Sequence, residues 1–201
     1  AWNLNFAAIM LTKLAENQNT FGAVTIAIIA ALCAATLFGA INGLGVAFLR
    51  IPPLVMTLGM NTVLLGLTTY YTRGTPQGTA PKVIITLATK RIAGIPWALI
   101  LWAVVTVAVV FMLRRTTLGA NIYAIGNNSK AAYLSGVPVQ RTLVICYAIA
   151  GFFAGVGALL LVGYSNQSYF RMGDPYELTS IAAVVVGGTS ILGGSGGYIG
   201  T

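Results

Sequence analysis

Long uncharged apolar runs alternate with short polar segments along most of this chain. A helix needs roughly 20 residues to cross a bilayer core of about 30 Å. Runs close to that length cover residues 22–49, 54–72, 96–113 and 142–164. Residues 178–192 form a shorter fifth candidate that runs into glycines, and residues 1–14 could be the end of an earlier span. The pattern predicts an all-α polytopic membrane protein, folded as a helical bundle of several spans.

Proline and glycine mark where the predicted spans stop. Pro52 and Pro53 end the first run, because proline lacks an amide donor and disfavours helix at the preceding residue. Residues 79–95 mix Pro, Lys, Arg and Gly with apolar positions, which predicts a loop outside the membrane with a short amphipathic piece. No repeat or linker divides the chain. We therefore expect one transmembrane domain over residues 1–201, incomplete at both ends.

Composition agrees with a membrane protein and disfavours an ordinary soluble domain. Hydrophobic residues make up 57% of the chain, charged residues 7%, and the mean hydropathy is +0.86. A soluble domain carries about 25% charged residues. The net charge of +8 is spread over basic residues that stand singly or in pairs at the ends of apolar runs, as interfacial anchors do. We expect contact with a lipid bilayer and no nucleic-acid partner.

The basic residues do not by themselves fix the orientation of the spans. Alternate loops carry similar numbers, whereas the positive-inside rule needs a clear excess on one side. The first set is Arg50, Arg114, Arg115, Lys130 and Arg141, and the second is Lys13, Arg73, Lys82, Lys90, Arg91 and Arg171. The first set lies in short loops, and Asp174 and Glu177 lie with the second. This favours the side of the first set as cytoplasmic.

Small and polar residues inside the apolar runs suggest how the helices associate. Gly39 with Gly43, and Gly151 with Gly155, each form a GxxxG pattern, which lets two helix backbones approach closely in lipid. Such faces either pack helices or line a path. Cys33 and Cys146 lie within apolar runs, and the chain has no histidine, so we interpret both as structural thiols. We expect neither a metal site nor catalytic residues.

Polar side chains in or near the spans are candidates for a solute path. They are Asn42, Thr57, Asn61, Thr189 and Ser190. Interhelical hydrogen bonds are the alternative for the two asparagines, and a hydroxyl in a helix often bonds the preceding turn. Arg171 and Glu177 could form an interfacial ion pair or a gate.

The segment 126–139 is a polar interruption between two apolar runs. Asn128 or Ser129 can cap a short helix, Gly136 can adopt the left-handed conformation that stops it, and Pro138 prevents its continuation. Ala131 and Ala132 would give this helix a small, flat face suited to docking in a partner's groove. An ordinary capped loop helix remains the alternative on physical grounds alone.

Three ordered motifs along the chain match the pattern of one known family. Residues 42–59, from Asn-Gly through Arg-Ile-Pro-Pro to Thr-Leu-Gly, form the first motif. Residues 123–128 (Tyr-Ala-Ile-Gly-Asn-Asn), followed by Ala131-Ala132-x-x-x-Gly136, form the second, and residues 176–194, from Tyr-Glu-Leu to Gly-Gly, form the third. Together they resemble the permeases of ABC importers, and in particular the ribose-type monosaccharide permeases. The second motif is similar to the core of the EAA motif of that family, although Lys130 departs from its acid.

This resemblance implies a fragment of a permease of about ten spans in the bacterial cytoplasmic (inner) membrane. A second permease copy, as homodimer or heterodimer, a cytoplasmic ABC ATPase and a periplasmic or extracellular sugar-binding protein would be its partners. ATP and Mg would be bound by the ATPase, and no cofactor by this chain. Asn128, Lys130, Ala131, Ala132 and Gly136 would form the ATPase-coupling site, and the arginines Arg50, Arg114 and Arg115 would be cytoplasmic.

Other functions remain open at this point. The same scaffold could carry another small polar solute, such as a branched-chain amino acid, and a secondary carrier would work without an ATPase. A non-transporting membrane scaffold would show no turnover. An intramembrane serine protease is disfavoured, since Gly193-Gly194-Ser195-Gly196 would need a histidine base. The same glycines lack the Gly-Lys-Ser/Thr of a phosphate loop.

Overall fold

The computed structural model describes residues 2–15, 21–75, 78–92, 95–190 and 193–198. Within them the chain is mainly helical, which confirms the predicted all-α class. The helices are α1 (Trp2–Ala15), α2 (Phe21–Ala47), α3 (Pro53–Tyr71), α4 (Lys82–Thr89), α5 (Trp97–Arg115), α6 (Thr117–Asn127), α7 (Ser129–Leu134), α8 (Val139–Ser165) and α9 (Pro175–Val186). Four two-residue strands accompany them: β1 (Gly78–Thr79), β2 (Arg91–Ile92), β3 (Ile95–Pro96) and β4 (Gln167–Ser168).

Three of the described helices are long and apolar enough to cross a membrane, over Gly22–Ala47, Trp97–Arg115 and Val139–Ser165. They correspond to three of the predicted runs. The fourth run, 54–72, forms helix α3, which is not among the three candidate membrane spans. It is more polar than they are, because it contains several threonines, Asn61 and two tyrosines at its end. Helix α9 has 12 residues, so at about 1.5 Å per residue it is too short to cross alone.

The centre of the bundle is the crossing of α2 and α8, where glycine faces glycine. A Cβ built at Gly39 would lie 3.0 Å from the Cα of Gly151, and one at Gly43 would lie 2.8 Å from the Cα of Val144. At Gly155 it would lie 3.1 Å from the Cβ of Ala35. The two GxxxG patterns therefore meet each other, and the prediction that they pack helices is confirmed.

Helix α1 packs against this crossing and completes the core. Its buried side chains include Ala7, Ala8 and Leu11, which join Val24 and Ala35 of α2 and Val162 of α8 in one cluster. Phe6 contacts Phe38 edge to face, with ring centroids 5.2 Å apart. The core is built largely from alanine and glycine, so the backbones of α1, α2 and α8 lie close together.

The strands tie the connecting segments together at one end of the bundle, which we call the strand end. Strand β1 pairs with β4, so the segment after α3 lies beside the segment after α8. The hydroxyls of Thr12 and Ser168 are hydrogen-bonded at 2.7 Å. Helix α4 packs on α8, since a Cβ at Gly163 would meet Ala88. Because α8 begins at Val139 and ends at Ser165, α7 lies at the opposite end, which we call the coupling end.

Candidate functional site

Helix α7 is the short helix predicted within 126–139, although Gly126 and Asn127 belong to α6 instead. The Oδ1 atom of Asn128 accepts hydrogen bonds from the amides of Lys130 at 3.0 Å and Ala131 at 3.1 Å, so Asn128 is the N-cap. At the other end Gly136 has φ +83°, and the amide of Val137 donates to the carbonyl of Ala132 at 3.0 Å. This is a glycine-terminated C-cap. The local chemistry of the segment therefore fixes both ends of the helix.

The exposed face of α7 differs from the one that we expected. Ala132 is buried, with 5% of its surface exposed, while Tyr133 and Leu134 are 71% and 85% exposed. Ala131 and Lys130 are exposed as well. A six-residue helix can turn only one side toward the bundle, and the small Ala132 lies on that side, next to α6 and α8. The expected flat face of two alanines is therefore corrected to Ala131 with the larger Tyr133 and Leu134.

Sequence reasoning missed Tyr133 and Leu134. Their signal was available, because two large apolar side chains in succession are unexpected in a capped polar segment unless something covers them. Which turn of so short a helix faces the bundle depends on tertiary packing, so the orientation could not be read from the motif.

The polar positions of α2 and α3 have different surroundings. Asn42 lies beside Gly43 on α2, half-buried, and its Oδ1 atom is buried without a hydrogen-bond partner among the described residues. The hydroxyl of Thr57 donates to the carbonyl of Pro53 at 2.9 Å, within its own helix. Asn61 is half-buried on α3. Of these three, Asn42 retains an unused buried acceptor.

Thr189 and Ser190 lie elsewhere, at the end of α6. They line a cavity of 370 Å³ together with Tyr123, Gly126 and the glycines that follow residue 192. Neither Asn42, Thr57 nor Asn61 lines this cavity. The described structure therefore divides the five candidates for a solute path between two places.

Arg171 forms its ion pair with Asp174, three residues along the chain. Asp174 also accepts a hydrogen bond of 3.1 Å from the side chain of Asn5, whose own Oδ1 atom accepts from the amide of Gly173 at 2.6 Å. Asn5 is fully buried. Arg171 therefore pairs with Asp174, and an ion pair or gate formed with Glu177 stays a prediction. Glu177 lies in the first turn of α9, where its negative charge is attracted to the positive end of the helix dipole.

An apolar cavity between α5 and α8 offers little to a hydroxylated solute. It measures 460 Å³ between α5 and α8, and residues such as Trp102, Val109 and Phe153 line it. Hydroxyl groups buried there would lose water without replacement hydrogen bonds. No cluster of three or more metal-ligating side chains exists among the described residues.

The comparison with known proteins decides the family. A family model described as "Branched-chain amino acid transport system / permease component" matches residues 5–198. The chain belongs to this permease family. The family assignment drawn from the three motifs is confirmed, and with it the polytopic helical fold.

Curated relatives of this permease are sugar and autoinducer permeases. Ribose import permease protein RbsC of Escherichia coli strain K12 is 36% identical over 180 residues, which cover 88% of this chain and 56% of that protein. Galactose/methyl galactoside import permease protein MglC of Haemophilus influenzae is 36% identical over 181 residues, 86% of this chain and 54% of the relative. Autoinducer 2 import system permease protein LsrD of Photorhabdus temperata is 34% identical over 169 residues, 81% and 51% respectively.

The permease described here thus spans about half the length of the curated relatives that it matches. No solved structure matches it significantly. Relatives of this kind are transport components, and the three apolar helices agree with a membrane location.

Proposed function

We propose that this chain is part of the transmembrane permease subunit of an ATP-driven importer for a monosaccharide of the ribose type. The observation that carries the proposal is the 36% identity to ribose import permeases over most of the chain. The subunit itself would catalyse no reaction. Binding and hydrolysis of ATP with Mg would take place in a partner ATPase, and this chain would convert the movement into transport.

The coupling end suits docking of a cytoplasmic ABC ATPase. Tyr133 and Leu134 project from α7 with most of their surface exposed. In the sequence they lie between the exposed basic residues Lys130 and Arg141. Large apolar side chains surrounded by charge are typical of a protein contact. In this proposal Ala131, Tyr133 and Leu134 contact the ATPase, Asn128 and Gly136 define the helix ends, and Ala132 transmits movement to α6 and α8.

The remaining partners would bind elsewhere on the bundle. A periplasmic or extracellular sugar-binding protein would dock at the strand end, opposite α7. A second permease copy would cover part of the apolar surface, for which α9 is a candidate, since it has no buried residue and exposes Leu178 and Ile181. The bacterial cytoplasmic (inner) membrane is the location that an importer with these partners requires.

The solute path would need polar groups that replace the water stripped from sugar hydroxyls, each worth about 1–3 kcal/mol if left unpaired. Asn42 is the candidate that the contacts favour, because its buried Oδ1 atom has no partner among the described residues. Thr57 and Asn61 would line the same side of the bundle, on the helix that follows α2. Alternating access then follows if ATP-driven movement of α7 changes which end of this region is open.

A second candidate function is import of another small polar solute, such as a branched-chain amino acid. The description of the matching family names that solute class, whereas the relatives cited above name sugars and autoinducer 2. An ATPase-independent secondary carrier is a more distant alternative and would move protons with its solute.

Reconstitution of the full-length permease with its co-expressed ATPase and binding protein tests the proposal. Uptake of labelled ribose into proteoliposomes should require ATP and should stop when the ATPase carries an inactive Walker A lysine. Labelled leucine, offered in parallel, distinguishes the second candidate. Uptake that persists without ATP and acidifies or alkalinises the lumen would refute an ATP-driven importer and favour a secondary carrier.

A further inference from the structure

The glycine turn, which comprises residues 187–190 and 193–198, packs its backbone directly onto the C-terminal end of α6. A Cβ built at Gly126 would lie 2.6 Å from the amide nitrogen of Gly194 and 3.1 Å from its Cα. A Cβ at Gly193 would lie 3.0 Å from the carbonyl oxygen of Gly126. Real Cβ atoms do not approach backbone this closely. The contact therefore exists only because glycine occupies both sides of it.

A hydrogen bond fixes the turn to α6 next to this backbone contact. The hydroxyl of Tyr123 donates to the carbonyl oxygen of Gly196 at 3.0 Å. Tyr123 lies three residues before Gly126, on the same side of α6. The turn is thus held at two neighbouring points of one helix face.

The turn also has a defined internal shape. The amide of Ser190 donates to the carbonyl of Ser195 at 3.0 Å, and the amide of Gly193 donates to the carbonyl of Ser190 at 3.1 Å. Gly193 and Gly194 have φ of +89° and +77°, which L-residues with side chains rarely adopt. A turn closed by its own hydrogen bonds can move as one body with whatever it contacts.

The position of the contact connects it with the coupling helix. Gly194 lies against the side chain and Cα of Asn127, and the next residue, Asn128, caps α7 through two hydrogen bonds. Only Asn128 lies between α6 and α7. A displacement of α7 therefore acts directly on the end of α6 that holds the turn. On its other side the turn continues directly from α9, in which no residue is buried.

We propose that the contact of Gly126 with Gly194, together with the Tyr123 hydrogen bond, is the joint through which movement of α7 reaches α9. Tyr123, Gly126 and Gly194 are then positioning residues for transport, and the inference rests on the proposed ATP-driven function. Thr189 and Ser190, which line the adjoining cavity, move with this joint and do not belong to a fixed solute site. Helix α9 follows α6, and through α6 it follows α7, because the turn cannot slide on α6 without breaking both contacts.

The decisive variant is Gly126→Ala in the full-length permease, assembled with its ATPase in proteoliposomes. Alanine favours helix over glycine, so a loss cannot come from weakened α6 and must come from the displaced turn. The readout is solute transported per ATP hydrolysed, measured beside Tm and the yield of assembled complex. Couplings between sites amount to about 5- to 150-fold, and we expect this ratio to fall by at least about 5-fold with assembly unchanged.

Two matched controls accompany it. Gly197→Ala changes a glycine of the same turn at which a Cβ would meet nothing within 4 Å. Gly66→Ala changes a helical glycine of α3 with equally free space. Both should keep the wild-type ratio.

Tyr123→Phe keeps the aromatic ring but removes the hydrogen bond to Gly196. It provides a second test of the joint if the Gly126→Ala complex fails to assemble. The ratio should fall for this variant too, by less than for Gly126→Ala. A wild-type ratio in an assembled Gly126→Ala or Tyr123→Phe complex would overturn the joint while leaving the importer function intact. Failure of the wild-type complex itself to couple uptake to ATP would instead refute the proposed function.

Discussion

Gly39 of α2 and Gly151 of α8 touch backbone to backbone, so that a Cβ on Gly39 would lie 3.0 Å from the Cα of Gly151. The same Cβ would also overlap the carbonyl oxygen of Tyr147. Ala35 and Gly155 continue the contact one turn further along. The crossing of α2 and α8 is the rigid frame on which α1, α4 and α6 are placed, and its geometry depends on the absence of side chains.

Gly39→Ala should therefore destabilise the protein, although alanine is the better helix former. Forcing one extra carbon into a close-packed contact costs about 1–3 kcal/mol. We expect a lower Tm for the purified protein in detergent. Gly59→Ala is the matched control, since a Cβ at Gly59 would meet nothing within 4 Å. Equal Tm values for the two variants would contradict the close crossing.

Asn5 should contribute more to stability than the ion pair that it supports. Asn5→Ala would leave the amide of Gly173 without the Oδ1 acceptor 2.6 Å away, and an unpaired buried donor costs about 1–3 kcal/mol. Arg171→Ala breaks an ion pair whose arginine side chain is 66% exposed, and exposed pairs are worth about 0–1 kcal/mol. Thermal unfolding of both variants tests this prediction: Asn5→Ala should lower Tm more than Arg171→Ala does. A larger decrease for Arg171→Ala would contradict it.

The cap of α7 should matter for coupling. Asn128→Ala removes the acceptor of the Lys130 and Ala131 amides, which costs about 1 kcal/mol of helix stability. We expect weaker co-purification of the ATPase, because the docking helix frays. Asn128→Ser should restore binding, since serine is an equally good cap. If Asn128→Ala retained full ATPase binding, the ordered α7 would not be needed for docking.

Asn42 should affect transport without supporting the fold. Asn42→Leu removes a buried Oδ1 atom that has no partner among the described residues, and loss of an unpaired buried polar atom does not destabilise a protein. Tm should stay unchanged or rise, while the KM for ribose uptake rises. Thr36→Val is a control, because the Thr36 hydroxyl bonds the carbonyl of Leu32 within its own helix at 2.7 Å. An unchanged KM in Asn42→Leu would remove Asn42 from the solute path.

Local chemistry let the sequence predict part of this structure. The caps of α7 follow from Asn128 and Gly136, and the long spans follow from uninterrupted apolar runs. The GxxxG patterns predicted close packing, but not that α2 packs against α8, because the pattern does not specify which helix contacts it. The burial of Ala132 and the contact of Asn5 with Asp174 depend on how segments dock, which no motif encodes.

The glycines after residue 192 illustrate the same limit. Their sequence indicated irregular backbone and disfavoured a phosphate loop, but it did not predict their contact with Gly126, nearly seventy residues earlier in the chain. Thr189 and Ser190 lie beside α6, apart from the other three candidates for a solute path, and their part in that path stays a prediction. The sequence alone placed all five polar residues in one group, whereas the fold places those of α2 and α3 apart from those beside α6.

In the proposed importer α7 docks on an ATPase through its exposed face. Disulfide crosslinking tests it in full-length protein with the free Cys33 and Cys146 replaced. Leu134→Cys, at an 85% exposed position, should crosslink to single cysteines in the groove of the co-expressed ATPase, with a yield that changes on addition of ATP. Ala132→Cys, at a 5% exposed position, should crosslink much less. A folded complex in which Leu134→Cys gives no crosslink, or in which Ala132→Cys gives the stronger one, would contradict the account.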